Sequence, residues 1–397
     1  MKNILLVFGT RPEAIKLAPL YKKLLLTPDF NTQVCVTAQH REMLDQVLSL
    51  FQIEPKYDLD IMGKTQTLED ITTKVLIGVS EVLNDFNADG VIVHGDTTTT
   101  FATTLAAFYK KIPVFHVEAG LRTNDIYSPW PEEANRRISD ALSSFYFPPT
   151  LMAKNNLINE GVQKENILVT GNTVIDALLY VGKLLDSDKK LEQKQRLEFS
   201  MLDFNKRIVL ITGHRRESFG APFRNFCSAI RALAIQFPDD QFVYPVHLNP
   251  NVRKPVGELL NDLSNVFLLE PLEYLNFVYL MKNSYLIITD SGGIQEEAPS
   301  FSIPVLITRD KTERPEAVTA GIAKLVGTNP NVIISQVSKL LTNEKHYKKM
   351  KASENPFGDG KASEYICQSL TKYYSPKSII SNAREKLKPQ SANARIN

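Results

Sequence analysis

The alternation of short apolar runs with longer amphipathic segments constrains the fold of this chain more than any other feature. The apolar runs are near-continuous and rich in β-branched residues, as in residues 4–8 and 208–212. Such runs, separated by helical patterns, are typical of parallel strands that are buried on both faces. The pattern predicts a doubly wound α/β architecture with strands at residues 4–8, 33–37, 90–94, 112–117, 145–147, 167–170, 208–212, 242–246, 266–269, 286–289, 304–307 and 324–326.

The length of the chain predicts two such domains, because 397 residues exceed what a single core usually supports. We place the boundary near Gly171, with Rossmann-like domains at residues 1–170 and 171–361. The charged stretch 186–198 is expected to be helical, and the polar, basic tail 377–397 to be disordered. Ligands of open α/β sheets bind outside the carboxyl ends of the strands. Two facing domains would form a cleft there, so residues that follow strands are the site candidates.

Composition excludes several classes of function. The net charge of +2 provides no global field for nucleic acid or an anionic membrane. The three cysteines, Cys35, Cys227 and Cys367, are far apart, which argues against disulfides and thiolate metal sites. No apolar stretch reaches the roughly 18 residues of a membrane span, and the first is too short for a signal peptide. We therefore expect a cytoplasmic protein. The histidines show no paired metal spacing and the chain shows no cofactor motif, so we expect neither a metal nor a cofactor.

The segment 9–13, Gly-Thr-Arg-Pro-Glu, directly follows the first predicted strand. Gly9 permits a tight turn, and Pro12 suits the first turn of a helix. Arg11 and Lys16 would then lie near a helix N-terminus, where anions bind. The alternative is an ordinary strand-to-helix turn whose arginine pairs with a carboxylate.

Two segments of the second half suit a nucleotide diphosphate. In residues 291–297 (SGGIQEE), Ser291 can cap a helix, the paired glycines Gly292 and Gly293 let backbone N–H groups approach phosphate, and Glu297 can bind ribose hydroxyls. In residues 213–217 (GHRRE), His214 can donate a proton to a leaving phosphate beside two arginines. The alternatives are a simple capped helix and a surface ion-pair cluster.

Carboxylates follow several strands of the first half. Asp96, Glu118 and the pair Glu132 and Glu133 occupy such positions, and clustered carboxylates can serve as general acids and bases. Taken singly, each could be no more than a favourable charge at a helix N-terminus. Phe277 and Tyr274 could stack a base, although core packing of an amphipathic helix explains them better.

With these segments identified, the sequence closely resembles the bacterial non-hydrolysing UDP-N-acetylglucosamine 2-epimerases. The resemblance runs from the first strand to about Tyr374. It rests on stretches that include FGTRPEAIKLAPL, TAQHREMLDQVL, HGDTTTTFATTLAAFY, HVEAGLRT, YSPWPEEANRR, TGHRRESFG, TDSGGIQEEAPS and ERPEAVTAG. It implies a glycosyltransferase-B-like fold with an interdomain active site, a homodimer, and a last helix near residues 362–375 that packs back on the first domain.

The resemblance also assigns roles to individual residues. It implies catalysis or substrate contact by Arg11, Lys16, Asp96, Glu118, Glu132 and His214. It implies UDP binding by Phe277, Ser291, Gly292, Gly293, Glu297 and Arg314, and further polar contacts by Arg137 and His247. Some members bind a second, activating UDP-N-acetylglucosamine, and their residues for it correspond to Gln39, His40 and Gln66.

The expected reaction is reversible epimerisation at C2 of the sugar by elimination of UDP and its re-addition, supplying N-acetylmannosamine units for cell-surface polysaccharide. Because the C2 hydrogen is not adjacent to a carbonyl, the anomeric C–O bond must break first, and departing UDP must be stabilised. Separate acid and base groups would come from Asp96, Glu118 and Glu132. The alternatives are a hydrolysing epimerase that releases N-acetylmannosamine, a glycosyltransferase of the same fold, and a non-catalytic sugar-nucleotide sensor.

Overall fold

The computed structural model describes residues 1–37, 41–61, 63, 66–215, 219–351 and 354–375. The chain forms two compact units. The first unit comprises Met1–Leu44, Ile53–Thr170 and the segment from Lys361 onward. The second comprises Asp45–Gln52 and Gly171–Gly360.

Strands and helices alternate along the whole described chain. Up to Thr170 they are β1 (Lys2–Phe8), α1 (Arg11–Leu25), β2 (Phe30–Val36), α2 (Arg41–Leu50), β3 (Tyr57–Asp58), α3 (Leu68–Phe86), β4 (Gly90–His94), α4 (Thr98–Tyr109), β5 (Val114–Val117), α5 (Glu132–Leu142), β6 (Phe145–Phe147) and α6 (Leu151–Asn159). From Gly171 they are α7 (Thr173–Ser187), α8 (Lys189–Glu198), β7 (Ile208–Thr212), α9 (Ala221–Gln236), β8 (Gln241–Pro245), α10 (Pro250–Leu260), β9 (Val266–Leu269), α11 (Tyr274–Lys282), β10 (Leu286–Thr289), α12 (Gly292–Glu297), β11 (Val305–Ile307), α13 (Pro315–Ala320), β12 (Ala323–Leu325), α14 (Pro330–Thr342), α15 (Glu344–Lys351) and α16 (Ala362–Tyr373).

Each unit contains one six-stranded parallel sheet. The strand orders are β3-β2-β1-β4-β5-β6 and β12-β11-β10-β7-β8-β9. Numbered from the first strand of its own unit, each sheet has the order 3-2-1-4-5-6 of a doubly wound Rossmann-type domain. The predicted α/β class with two Rossmann-like domains is confirmed.

The cores explain why these segments form strands and helices. All five residues of the run 4–8 are completely buried in β1. In the first unit, Leu5 and Val91 of the sheet belong to one apolar cluster with Val75 and Val79 of α3. Capping boxes at Thr10 and Thr67 begin α1 and α3, and each satisfies backbone N–H groups that a helix start leaves without partners.

One predicted strand is wrong and one observed strand was not predicted. Residues 167–170 do not form a strand, because Ile167 makes only an isolated bridge with Tyr146 at the edge of the sheet. The two-residue strand β3 is too short to produce a periodic pattern and was not predicted. The charged stretch 186–198 is helical as predicted, although it spans two helices, since Asp188 ends α7 and its side chain caps α8.

The last described helix packs within the first unit. Tyr373 stacks edge-on against the buried ring of Phe115, with centroids 5.1 Å apart. The Tyr374 hydroxyl donates to the carbonyl of Asp89 at 2.9 Å. The predicted tail 377–397 lies outside the described residues. Among the helices that are described, none has both the length and the apolar character needed to cross a bilayer.

Candidate active site

The strand orders place the predicted motifs at the two topological switch points. In the first unit, β1 and β4 are neighbours, so the turns that carry Arg11 and Asp96 lie at the same edge of the sheet. In the second unit, β7 and β10 are neighbours, so the turns that carry His214 and Ser291 do the same. Ligands of doubly wound sheets bind at such points.

Glu13 organises the first switch point. Its side chain is 2% exposed. Its Oε2 accepts hydrogen bonds from the N–H of Gly9 at 3.0 Å and from the N–H and hydroxyl of Thr10 at 2.8 Å each. Its Oε1 accepts from the hydroxyls of Thr97 and Thr100. Glu13 therefore ties the turn after β1 to the start of α4. Sequence reasoning missed this role, although the capping-box spacing of threonine and glutamate was a readable signal.

Glu118 is a buried carboxylate that faces two basic side chains. Lys16 Nζ lies 2.5 Å from its Oε2, and His94 Nε2 lies 3.6 Å from the same oxygen. Burial raises the pKa of Glu118, but the charge of Lys16 and the contact with His94 outweigh burial and hold that pKa well below its usual range. Glu118 also has a left-handed backbone, with φ of 62° directly after β5. The predicted residues Lys16 and Glu118 are therefore in direct contact.

Asp96 pairs with an arginine that sequence reasoning did not select. The Arg136 Nε lies 3.1 Å from Asp96 Oδ2, and its Nη2 contacts the same oxygen. The Nη1 of Arg136 also donates to Glu133 at 2.9 Å. The predicted residue Arg137 donates to Glu133 at 3.0 Å and is partly exposed.

Glu132 and Glu133 differ in environment. Glu133 is completely buried; burial raises its pKa, but the Thr123 N–H and the arginines of α5 lower it overall. Glu133 thus has a structural role in holding Arg136 and Arg137. Glu132 is the first residue of α5 and is half-buried.

A buried network links the backbone on either side of Asp96 and Glu118. His116 lies with Nδ1 2.7 Å from Asp140 and Nε2 2.8 Å from the carbonyl of Gly95. Asp140 also accepts from the Gly120 N–H at 3.1 Å and pairs with Arg122 at 2.8 Å. Burial raises the pKa of Asp140, but His116 and Arg122 outweigh it and lower the pKa overall. The network therefore fixes the peptide before Asp96 and the loop after Glu118.

In the second unit, Asp290 shapes the turn that carries His214. Its Oδ2 accepts from the backbone N–H groups of His214 and Arg215 at 2.8 and 2.9 Å. The imidazole of His214 stacks on that of His247, with ring centroids 5.1 Å apart and planes inclined by 8°. Partial burial lowers the pKa of His214, the charge of Asp290 opposes this, and His247 and Arg215 add to the lowering. The imidazole of His214 is therefore mostly uncharged near pH 7.

The glycine pair lies beside Arg215. A Cβ atom added to Gly292 would lie 3.8 Å from the guanidinium of Arg215. Ser291 is the N-cap of α12, but its side chain makes no capping hydrogen bond, so the predicted side-chain cap is wrong. Its N–H instead donates to the Thr289 hydroxyl at 2.9 Å. Gly293 follows in the first turn of this short helix.

Three predicted UDP-binding residues have defined surroundings. Glu297 is buried, and the hydroxyl of Tyr274 approaches its Oε1 at 3.4 Å. Arg314 contacts Glu296 through its Nε. Phe277 lies in the first turn of α11 and is half-buried.

Of the three predicted regulatory residues, the structure describes only Gln66. Gln39 and His40 lie outside the described residues. Gln66 lies just before α3, and its Nε2 contacts the carbonyl of Ile61. Across the described ranges, no group of three histidine, cysteine or acidic side chains is arranged to hold a metal ion.

Chemically, the two switch points differ. The first presents carboxylates held by cations, which suits proton transfer. The second presents backbone N–H groups, an arginine and a neutral imidazole, which suits an anionic phosphate.

Comparison with known proteins agrees with this geometry. The UDP-N-acetylglucosamine 2-epimerase family model matches residues 22–371. The UDP-N-acetylglucosamine 2-epimerase of Escherichia coli K12 is 55% identical over 368 residues, which cover 93% of this chain and 98% of that protein. The structure of a Neisseria meningitidis UDP-GlcNAc 2-epimerase bound to UDP-GlcNAc is 53% identical, covers 93% of this chain and 100% of its own, and has a TM-score of 0.86.

A more distant structure shares the fold alone. Acinetobacter baumannii MurG is 15% identical, covers 94% of this chain and 100% of its own, and has a TM-score of 0.56. These similarities agree with the glycosyltransferase-B-like fold. Given the family match over most of its length, the chain belongs to the UDP-N-acetylglucosamine 2-epimerase family.

Proposed function

We propose that the protein interconverts UDP-N-acetylglucosamine and UDP-N-acetylmannosamine and does not release free sugar. The observation that carries the proposal is the buried, ionised carboxylate of Glu118, held by Lys16 at 2.5 Å and approached by His94. A base that removes a carbon-bound proton must be deprotonated before the reaction, and Glu118 meets this requirement. The relative from Neisseria meningitidis, which was solved with UDP-GlcNAc bound, supports the choice of substrate.

The reaction proceeds by elimination and re-addition. In the first half, the anomeric C–O bond breaks, its electron pair leaves with UDP, and the C2 proton passes to a carboxylate. The C1–C2 double bond of 2-acetamidoglucal forms from the electrons of the broken C–H bond. In the second half, UDP adds back to C1, and C2 receives a proton on its opposite face. Separate acid and base groups are therefore needed.

The second unit binds the nucleotide in this proposal. The hydroxyl of Ser291, the N–H groups of Gly292 and Gly293 and the guanidinium of Arg215 bind the diphosphate, whose departing charge they stabilise. His214 is neutral in the empty protein and becomes a proton donor when the diphosphate raises its pKa. Phe277 is assigned to the base and Glu297 to the ribose. Arg314 and His247 are assigned to further polar contacts.

The first unit acts on the sugar. Glu118 is assigned as the base at C2 because Lys16 and His94 keep it ionised. The acid on the opposite face comes from Asp96 or Glu132. Arg136 orients Asp96, and Arg11 contacts the substrate.

Several further proposals rest on family membership. The protein is a cytoplasmic homodimer whose product supplies N-acetylmannosamine units for cell-surface polysaccharide. A second UDP-N-acetylglucosamine activates it through Gln39, His40 and Gln66. Light scattering coupled to size-exclusion chromatography tests the dimer, which a monomer mass at assay concentration would exclude.

The decisive experiment follows the C2 hydrogen and the bridging oxygen. Epimerisation in heavy water places deuterium at C2, because the proton taken by the base exchanges before a new one is delivered. Substrate labelled in the bridging oxygen undergoes positional isotope exchange, because UDP departs and returns. A product that carries only protium at C2 excludes the mechanism. Release of free N-acetylmannosamine identifies a hydrolysing epimerase, and a dependence on acceptor identifies a glycosyltransferase.

A further inference from the structure

His94 is a buried histidine to which the proposed mechanism gives only an electrostatic role, that of helping Lys16 to keep Glu118 ionised. It is the last residue of β4, is 3% exposed, and pairs in register with Val117, the residue before Glu118. Within the described residues, its Nε2 has no hydrogen-bond partner. Leaving a buried polar atom without a partner is destabilising, so its position calls for a physical reason.

The neighbour of this nitrogen is the carboxylate assigned as the base. Nε2 lies 3.6 Å from Glu118 Oε2, which exceeds hydrogen-bond length by roughly 0.7 Å. Hydrogen bonds of catalytic groups are often long in unliganded enzymes and shorten in the substrate complex. The backbone of Glu118 is already fixed, because its N–H donates to the carbonyl of Phe147 at 3.0 Å.

The other charged groups around Glu118 have different partners. Glu13 of α1 accepts from the turns after β1 and β4. His116 of β5 faces Asp140 and the carbonyl of Gly95. Asp96 pairs with Arg136. Lys16 of α1 shares Glu118 Oε2 with His94. Lys16 supplies charge on a flexible stem, whereas the imidazole supplies a donor of fixed direction on a strand.

We propose that His94 is a positioning residue for epimerisation, and that its Nε2–H donates to Glu118 Oε2 when the sugar nucleotide binds. This bond orients the carboxylate so that its other oxygen, Oε1, takes the C2 proton. The inference rests on the proposed function. The hydrogen bond from His94 to Glu118 can itself be tested without turnover.

The kinetic test compares His94→Leu, which removes the donor, with His94→Gln, whose amide nitrogen restores one at similar reach. His94→Leu is expected to lower kcat by about 10- to 100-fold, the range for a hydrogen bond to a charged group, with little change in KM. The acid limb of its kcat profile, which reports the substrate complex, moves to higher pH, because Glu118 loses a donor to its charged form there. His94→Gln recovers most of kcat and the original acid limb.

The matched control is Thr104→Val on α4, which removes a buried hydroxyl bonded at 2.8 Å to the carbonyl of Thr100. It lowers thermal stability without moving the acid limb. A merely structural histidine would give the control's result. The proposal is therefore wrong if His94→Leu loses stability while its kcat and acid limb stay those of wild type, or if His94→Gln is as impaired as His94→Leu.

A titration that needs no turnover separates this inference from the proposed function. The infrared carboxyl band of Glu118 is recorded with saturating UDP-N-acetylglucosamine and is identified by its loss in Glu118→Gln. In His94→Leu this band titrates at higher pH than in wild type. An unchanged midpoint overturns the inference, even in an active enzyme. If wild type does not epimerise UDP-N-acetylglucosamine, the proposed function fails, and the band still decides whether His94 donates to Glu118.

Discussion

The ion pair between Lys16 and Glu118 gives a stability prediction that is independent of the reaction. The two side chains are 17% and 10% exposed, and their charged atoms lie 2.5 Å apart. Lys16→Met keeps most of the apolar stem but removes the charge. Breaking one partner of a buried pair costs about 3–5 kcal/mol, because the remaining charge is left uncompensated in a poorly solvated site. We expect Lys16→Met to destabilise the protein by about 3 kcal/mol at pH 8.

The loss must depend on pH, with a sign fixed by Glu118. In wild type the folded pKa of Glu118 lies well below its unfolded value of 4.5, so its ionised form adds stability above that pH. That stability is lost as pH falls through the folded pKa. Burial raises the pKa of Glu118, and the charge of Lys16 is the largest effect that opposes it. Lys16→Met removes that charge, so the folded pKa of Glu118 rises. The difference in free energy of unfolding between wild type and variant is therefore largest near pH 8 and shrinks as pH falls through the raised folded pKa of Glu118 in the variant, because protonation removes the uncompensated charge.

Urea unfolding at several pH values measures this difference. The matched control is Lys23→Met, the same substitution on the same helix, at a pair with Glu364 that is 3.7 Å long and 45% and 44% exposed. Exposed pairs contribute about 0–1 kcal/mol, so the control changes little. Equal effects of the two substitutions, or a loss in Lys16→Met that is the same at pH 4 and pH 8, would refute the reasoning.

Three further predictions concern activity. Asp96→Asn, Glu118→Gln and Glu132→Gln each lower kcat by about 10²-fold or more, the scale of a positioned acid or base, and near-normal kcat removes that residue from the catalytic set. Exhaustive chelation leaves turnover unchanged; loss of activity that a single metal restores would contradict this. The reverse reaction, started from UDP-N-acetylmannosamine alone, shows a lag and then accelerates as UDP-N-acetylglucosamine accumulates, whereas Gln66→Ala stays at the slow initial rate. Full initial rate in wild type excludes substrate activation.

Periodicity alone was enough to predict the fold class, and the reason is physical. A parallel strand covered on both faces must be apolar along its covered length, as residues 4–8 of β1 are, and its sequence shows this directly. The prediction fails where the run is partly exposed or very short. The run 167–170 lies at the edge of the sheet, and β3 has two residues. Neither length nor pattern separates such segments from ordinary loops.

The sequence could reveal some ion-pair partners of the site residues but not others. Glu133, Arg136 and Arg137 are spaced three and four residues apart on α5, so their ion pairs were readable as helical neighbours. The contact between Arg136 and Asp96 joins residues 40 positions apart. It depends on how α5 packs beside the end of β4, which no local pattern encodes. Sequence reasoning therefore selected Arg137, whose partner is structural, and missed Arg136.

Carboxylates at the two switch points have two kinds of partner, and residue type does not distinguish them. Glu13 and Asp290 accept hydrogen bonds from backbone N–H groups of the turns after β1 and β7. Breaking those bonds would unmake the turn, so these carboxylates are committed to structure. Asp96 and Glu118 are held by side chains of Arg136 and Lys16, which can shift without disturbing the backbone. A carboxylate that is paired with a side chain can gain or lose a proton without breaking backbone hydrogen bonds. Only this second kind therefore suits proton transfer, and the partner of a carboxylate shows which kind it is.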